Sequence, residues 1–302
     1  MTSKLYPTIL IPFFFALTAC DLIKDLDDEA GKFYFSNSGN TPLQFKIDDQ
    51  SFNLKEDEIG IVDLKVGEHV METADGQQTP FMVYPNNKGG IINPNKDMYY
   101  TYSMVYATNE NSANHFSPPI NQVVINGEVY EGPIHSTNAV FIDNNFFRCT
   151  YPIGTPFPDE IKSWDKKSVG SIETKCFNKK EFLTFYHNEA GEPINPQATI
   201  NVAANSDSIT DYFGNSVPSA DFENPDLQAK AQKIVALLQQ FVQSKDANVQ
   251  KDFQKQYHEL IIDLIQVSSK AAVHQTKEEN EKYNHFSQQS GNVIGAGIMA
   301  RP

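Results

Sequence analysis

Beyond Gly31 the side chains keep changing sides. Leu43, Phe45 and Ile47 alternate with Gln44 and Lys46, a period of two. That is the spacing of a strand with one buried and one wet face; an amphipathic helix repeats at 3.6. Upstream, Lys32-Phe33-Tyr34-Phe35 runs into the turn Asn37-Ser38-Gly39-Asn40, and Ile47-Asp48-Asp49-Gln50 starts a hairpin. Gly67 and Asp75-Gly76 divide residues 61–85 into two or three more strands. Strands this short with turns this close predict a small antiparallel β-sandwich over residues 31–108. Its last strand carries Met98, Tyr100, Tyr102, Met104 and Tyr106 on one face and Tyr99, Thr101, Ser103 and Val105 on the other. The larger face reads as core, with hydroxyls reaching the rim. A stacking platform for sugar rings is the second reading, with Tyr100 and Tyr102 as binding candidates and peptidoglycan as the glycan; exposed rings there would select it.

The chain before this region has another character. One charge, Lys4, precedes the apolar run Ile9–Leu17, which Pro12 interrupts and which is too short for a stable membrane span. The run ends in Leu17-Thr18-Ala19-Cys20, which resembles the lipobox of bacterial lipoproteins. The resemblance covers residues 1–20 only. It implies a signal peptide over residues 1–19, cleavage before Cys20, and acylation of its thiol, palmitate included. Multiple acyl chains make a durable membrane anchor, each buried CH₂ contributing about 0.8 kcal/mol. The acidic residues 20–30 then form a tether, and the body lies outside the cytoplasm, in the periplasm or at the cell surface. The choice between inner and outer membrane stays open. With Cys20 acylated, Cys149 and Cys176 remain, and an oxidising compartment points to one disulfide between them.

A polar linker, residues 107–119, leads to a second β-rich domain over residues 109–224. Asn126-Gly127 between apolar alternations is a type I′ hairpin. Ala139–Cys149 and Ser168–Phe177 supply further strands, which the disulfide joins. Between the cysteines, Pro152, Pro156 and Pro158 forbid regular structure. The closed loop either presents Phe157 and Trp164 as a partner-binding rim or tucks them inward.

Asn224-Pro225-Asp226 is a helix start: a cap, a proline at the first position and an early acid. Leu227, Ala231, Ile234, Leu238 and Phe241 form its apolar stripe. After a break at Ser244-Lys245-Asp246, Phe253, Tyr257, Leu260, Leu264 and Ser268 line a second helix. The class is therefore mainly β with a C-terminal α-helical hairpin over residues 225–288, and the Gly-rich residues 289–302 read as a mobile tail.

Charge and motifs narrow the function. Twenty-four basic residues against 38 acidic give a net charge of −14, which disfavours nucleic acid and suits a basic protein partner. The seven histidines form no ligand spacing, so no metal site or cofactor is expected. No G-x-S-x-G elbow occurs, and the glycines of Gly291–Gly297 follow a helix rather than a strand. No catalytic residues stand out, and an enzyme is not expected. The expected task is protein binding, as an immunity or inhibitor protein against a periplasmic toxin. An accessory role in an envelope or secretion assembly comes second.

Overall fold

The structure is a computed structural model and describes residues 29–161, 169–191, 193, 207–210, 216–271 and 276–301. Its first strands are β1 (Lys32–Ser36), β2 (Leu43–Ile47), β3 (Gln50–Leu54), β4 (Ile59–Asp63), β5 (Gly67–Thr73) and β6 (Gln78–Val83). Then come β7 (Gly90–Ile92), β8 (Tyr99–Ala107), the short helix α1 (Glu110–Ala113), β9 (Asn121–Ile125) and β10 (Glu128–Gly132). β11 (Ile134–Thr137), β12 (Phe141–Asp143), α2 (Asn144–Phe147), β13 (Cys149–Tyr151) and β14 (Gly170–Asn178) lead to α3 (Lys179–Phe185). The chain closes with α4 (Pro225–Gln243), α5 (Gln250–Ala271), α6 (Lys277–Gly295) and β15 (Ile298–Ala300).

The expected alternation is present. In β2, Leu43, Phe45 and Ile47 are buried while Gln44 and Lys46 are exposed. They belong to the antiparallel sheet β15-β6-β5-β2-β3, which packs on the sheet β12-β7-β1-β4. Phe33 and Phe35 from one sheet meet Phe45, Phe81 and Ile298 from the other in a shared core. Two-residue turns behave as their sequences require: Asn126 and Gly127 both have positive φ, 52° and 83°, as a type I′ hairpin needs.

Alternation also builds the next layer. Tyr34, between Phe33 and Phe35, turns the opposite way and joins Ile91, Ile142, Tyr99 and the cystine. A third sheet, β11-β8-β14-β13, thus lies on the outer side of β12-β7-β1-β4. The disulfide Cys149–Cys176, with Cα atoms 5.3 Å apart, joins β13 to β14 on this inner side. On the sheet's far face, Tyr100 and Phe177 pack with Ile125 and Tyr130 of the β9–β10 hairpin and with Phe182 of α3.

The helices cover the other end of the stack. Met82, Tyr84 and Met299 point away from the sandwich core and pack against Leu227, Ile234, Leu238 and Phe241. Asn224 caps α4 by accepting from the amides of Asp226 and Leu227 (3.0 and 3.1 Å), with Pro225 at the first position. α4 and α5 form the expected hairpin, but it has a third member. In α6, Thr276 accepts from the Glu279 amide at 3.2 Å, a Thr-x-x-Glu start.

Three expectations change. The tyrosine strand β8 is central in the third sheet rather than the last strand of the sandwich, so the boundary at residue 108 falls inside paired structure. The sandwich instead draws β12 and β15 from much later in the chain. Residues 289–302 are not a mobile tail among those described: α6 runs to Gly295, and β15 pairs with β6. Asp143 explains the last point, because its carboxylate accepts from the Gly297 and Ile298 amides at 2.7 and 3.4 Å.

Candidate functional site

A cleft of about 780 Å³ opens on the far face of the third sheet, a size suited to ligand side chains. Three elements bound it: α3, the proline loop after β13, and the turn between β3 and β4. Met104 and Tyr106 of β8 form part of its floor with Phe177 and Phe185. Alternation puts them there, continuing the face of β8 that carries the buried Tyr100 and half-buried Tyr102, one and two steps beyond Tyr102.

Lys175 braces the cleft. It lies on β14 between Thr174 and Cys176 and is buried. Its ammonium donates to Glu181 Oε1 at 2.7 Å and to the carbonyls of Pro152 and Cys176, both at 3.1 Å. It also lies 4.4 Å from the centre of the Phe177 ring. Burial holds its pKa below the usual lysine range, with Glu181 opposing. Glu181 in turn accepts from the Gly154 amide at 3.2 Å. One cation therefore fastens β14, α3 and the proline loop to one another. The loop is tied again where the Tyr106 hydroxyl donates to the Pro158 carbonyl at 2.7 Å.

The rim is acidic. Of the lysines that line the cleft, Lys175 pairs with Glu181 and Lys180 with Asp57. Asp159 and Glu189 have no basic partner among the described residues. An apolar floor below two carboxylates that no described basic residue pairs accepts a cation carried on an apolar stem.

The sequence candidates separate. Tyr100 is core: 1% exposed, stacked on Phe182 with centroids 4.7 Å apart, its hydroxyl donating to Asp207 at 3.1 Å. Burial, then Asp207, pushes its pKa up. Tyr102 lies edge-on to Phe185 at 5.1 Å. Phe157 turns into the cleft, 5.6 Å from Phe185 and from Tyr151. Trp164 and Cys20 lie outside the described residues. Among the described residues there is no group of metal-ligating side chains and no helix long and apolar enough to cross a membrane.

Sequence inspection missed α3 and the contribution of Asp57 and Ile59. The first had a sign: Asn178-x-x-Glu181 followed by Phe182, Leu183 and Phe185 is a helix start, and Asn178 caps the Glu181 amide at 2.9 Å. The second had none, since residues 57–59 reach the cleft only through sheet stacking. A second hollow of about 500 Å³, between α6 and the segment before α4, has polar walls of Asp221, Glu278, Glu281 and Lys282. Its aromatic residues, Phe222 and Phe286, are buried in the helical core. In comparison with known proteins the chain matches no family model, no curated protein and no solved structure.

Proposed function

We propose that this chain is a lipid-anchored, envelope-facing recognition protein that takes a basic segment of another protein into the cleft beneath the proline loop. One observation carries the proposal: an apolar floor edged by Asp159 and Glu189, the cleft's own lysines being committed to Glu181 and Asp57. The bracing of the loop supports it, since a preorganised surface loses little entropy on binding. The net charge of −14 steers a basic partner. The resemblance of Leu17-Thr18-Ala19-Cys20 to a lipobox supports the anchor, which would concentrate the chain at a membrane. A partner held there has its bound segment occluded, which is the action of an immunity or inhibitor protein on a periplasmic toxin.

The test is a photo-crosslinking residue in place of Thr184, exposed on the cleft rim, and a control in place of Gln266 on α5, in cells that acylate the chain. The expected result is one basic protein crosslinked from position 184 and not from 266, less of it at high salt. Identical products from both positions, or retention on isolated peptidoglycan that Tyr102→Ala abolishes, overturns the proposal.

A further inference from the structure

Among the described residues, the strand that borders the cleft has an open edge: β4 pairs only with β1 and ends its sheet. The register fixes which backbone groups face outward. Asn37 N–H donates to the Glu58 carbonyl at 3.0 Å and Leu64 N–H to the Gly31 carbonyl at 2.8 Å. In an antiparallel ladder the bonded pairs alternate, so Gly60 and Val62 also face β1. The N–H and C=O groups of Ile59, Ile61 and Asp63 therefore point away from it, and no described residue bonds to them.

Edge strands normally carry a lysine, a proline or a bulge that prevents pairing. β4 reads Ile-Gly-Ile-Val-Asp and pairs without a bulge; Ile59 is 41% exposed and Ile61 53%. Both side chains lie on the face of the sheet that Tyr34 shares, toward the third sheet. Ile59 also lines the cleft and abuts the proline loop, where a Cβ added to Gly154 would lie 2.7 Å from it. The open edge and the cleft are thus one continuous surface.

Charge selects the occupant. Glu56 and Glu58 precede the strand and Asp63 ends it, all exposed, while Asp57 between them is held by Lys180. A second copy fits poorly. Pairing Ile59 with Ile61 of another β4 sets Asp57 against Asp63, and centring the pair on Ile61 sets each Ile59 against Asp63. We infer that β4 receives an extended, basic segment of the partner as an added strand, whose alternate side chains continue over Ile59 into the cleft. This rests on the function proposed above and names its mode of recognition.

The probe is an acetylated and amidated heptapeptide of alternating lysine and valine, with its glutamate–valine counterpart as control, added to the full-length chain in detergent. The lysine peptide should bind, slow amide exchange at Ile59, Ile61 and Asp63 at least tenfold, and lose at least tenfold in affinity with Ile61→Pro. The outward Ile61 N–H is the only donor that proline removes, so the β1 ladder survives. Ile61→Lys serves if the proline variant does not fold. Thr184→Arg, a cation at the cleft rim, should weaken binding as well. Binding unchanged in both Ile61 variants but lost in Thr184→Arg overturns the added strand and leaves the cleft proposal standing. Binding unchanged in all three variants overturns both. Failure of the lysine peptide to bind overturns the added strand, with the cleft then judged by crosslinking at position 184. A concentration-dependent dimer that Ile61→Pro dissolves overturns the choice of partner.

Discussion

Replacing Lys175 by methionine tests the bracing of the cleft. Methionine keeps the apolar stem over Phe177 and deletes all three hydrogen bonds of the ammonium. Breaking a buried pair by removing one partner costs roughly 3–5 kcal/mol. Here the Glu181 side chain is 27% exposed and retains the Gly154 amide, so water recovers part of the loss. The carbonyls of Pro152 and Cys176 lose their donor at about 1 kcal/mol each. Together these give about 3 kcal/mol, or a melting temperature lower by roughly 6 °C in a chain of this size. Thermal unfolding by circular dichroism measures it. The paired variant Lys175→Met with Glu181→Leu should recover about 1 kcal/mol, the share of the loss that the unpaired carboxylate carries, while the two carbonyls still lack their donor. A single variant within 1 kcal/mol of the parent, or a paired variant as unstable as the single one, refutes the bracing role.

Other outcomes follow from the same structure. Burial pushes the Asp143 carboxyl up to about 7 against the pull of the Asn145, Gly297 and Ile298 amides. A folded pKa above the unfolded one gives stability that is full below about pH 4 and is lost as pH rises through 7, by about 4 kcal/mol at 1.36 kcal/mol per unit. Urea titrations from pH 4 to 8 should show that decline, and Asp143→Asn should flatten it. Removing Ile298–Pro302 exposes the contact faces of β6 and α4 and should cost about 4 kcal/mol, read as lost exchange protection in β6. Replacing Cys149 and Cys176 together by serine opens a loop with a separation of 27 residues and should cost about 3.5 kcal/mol in chemical denaturation.

How far the sequence could be read depended on the range of each interaction. Local chemistry was legible: the alternation of Leu43, Phe45 and Ile47, the Asn126-Gly127 turn, and the cap and buried stripe of α4 all stand as their residues demand. Partnership between distant strands was not. Nothing in the alternation of β8 tells which sheet it joins; β14, some 70 residues later, decides that. The same holds for the parallel pairing of β1 with β7. α6 escaped notice because much of its buried side is polar, with Glu279, Ser290 and Asn292 among its buried residues. The glycines after it suggest mobility, yet at Gly297 a Cβ would lie 2.8 Å from the Asn87 Cα, so close packing requires the residue. Of the candidate site residues, Phe157 reaches the cleft and Tyr100 does not, a difference set by where α3 covers the β8 face.

Whether the acidic rim of Asp159 and Glu189 selects the partner is open to direct measurement. The protein crosslinked at position 184 is titrated against the full-length chain and against Asp159→Lys with Glu189→Lys, at low and high salt. The affinity for the parent chain should fall steeply with salt, and the double reversal should lose most of its low-salt affinity and most of its salt dependence. Equal affinities for the two chains at every ionic strength would contradict electrostatic capture at this cleft.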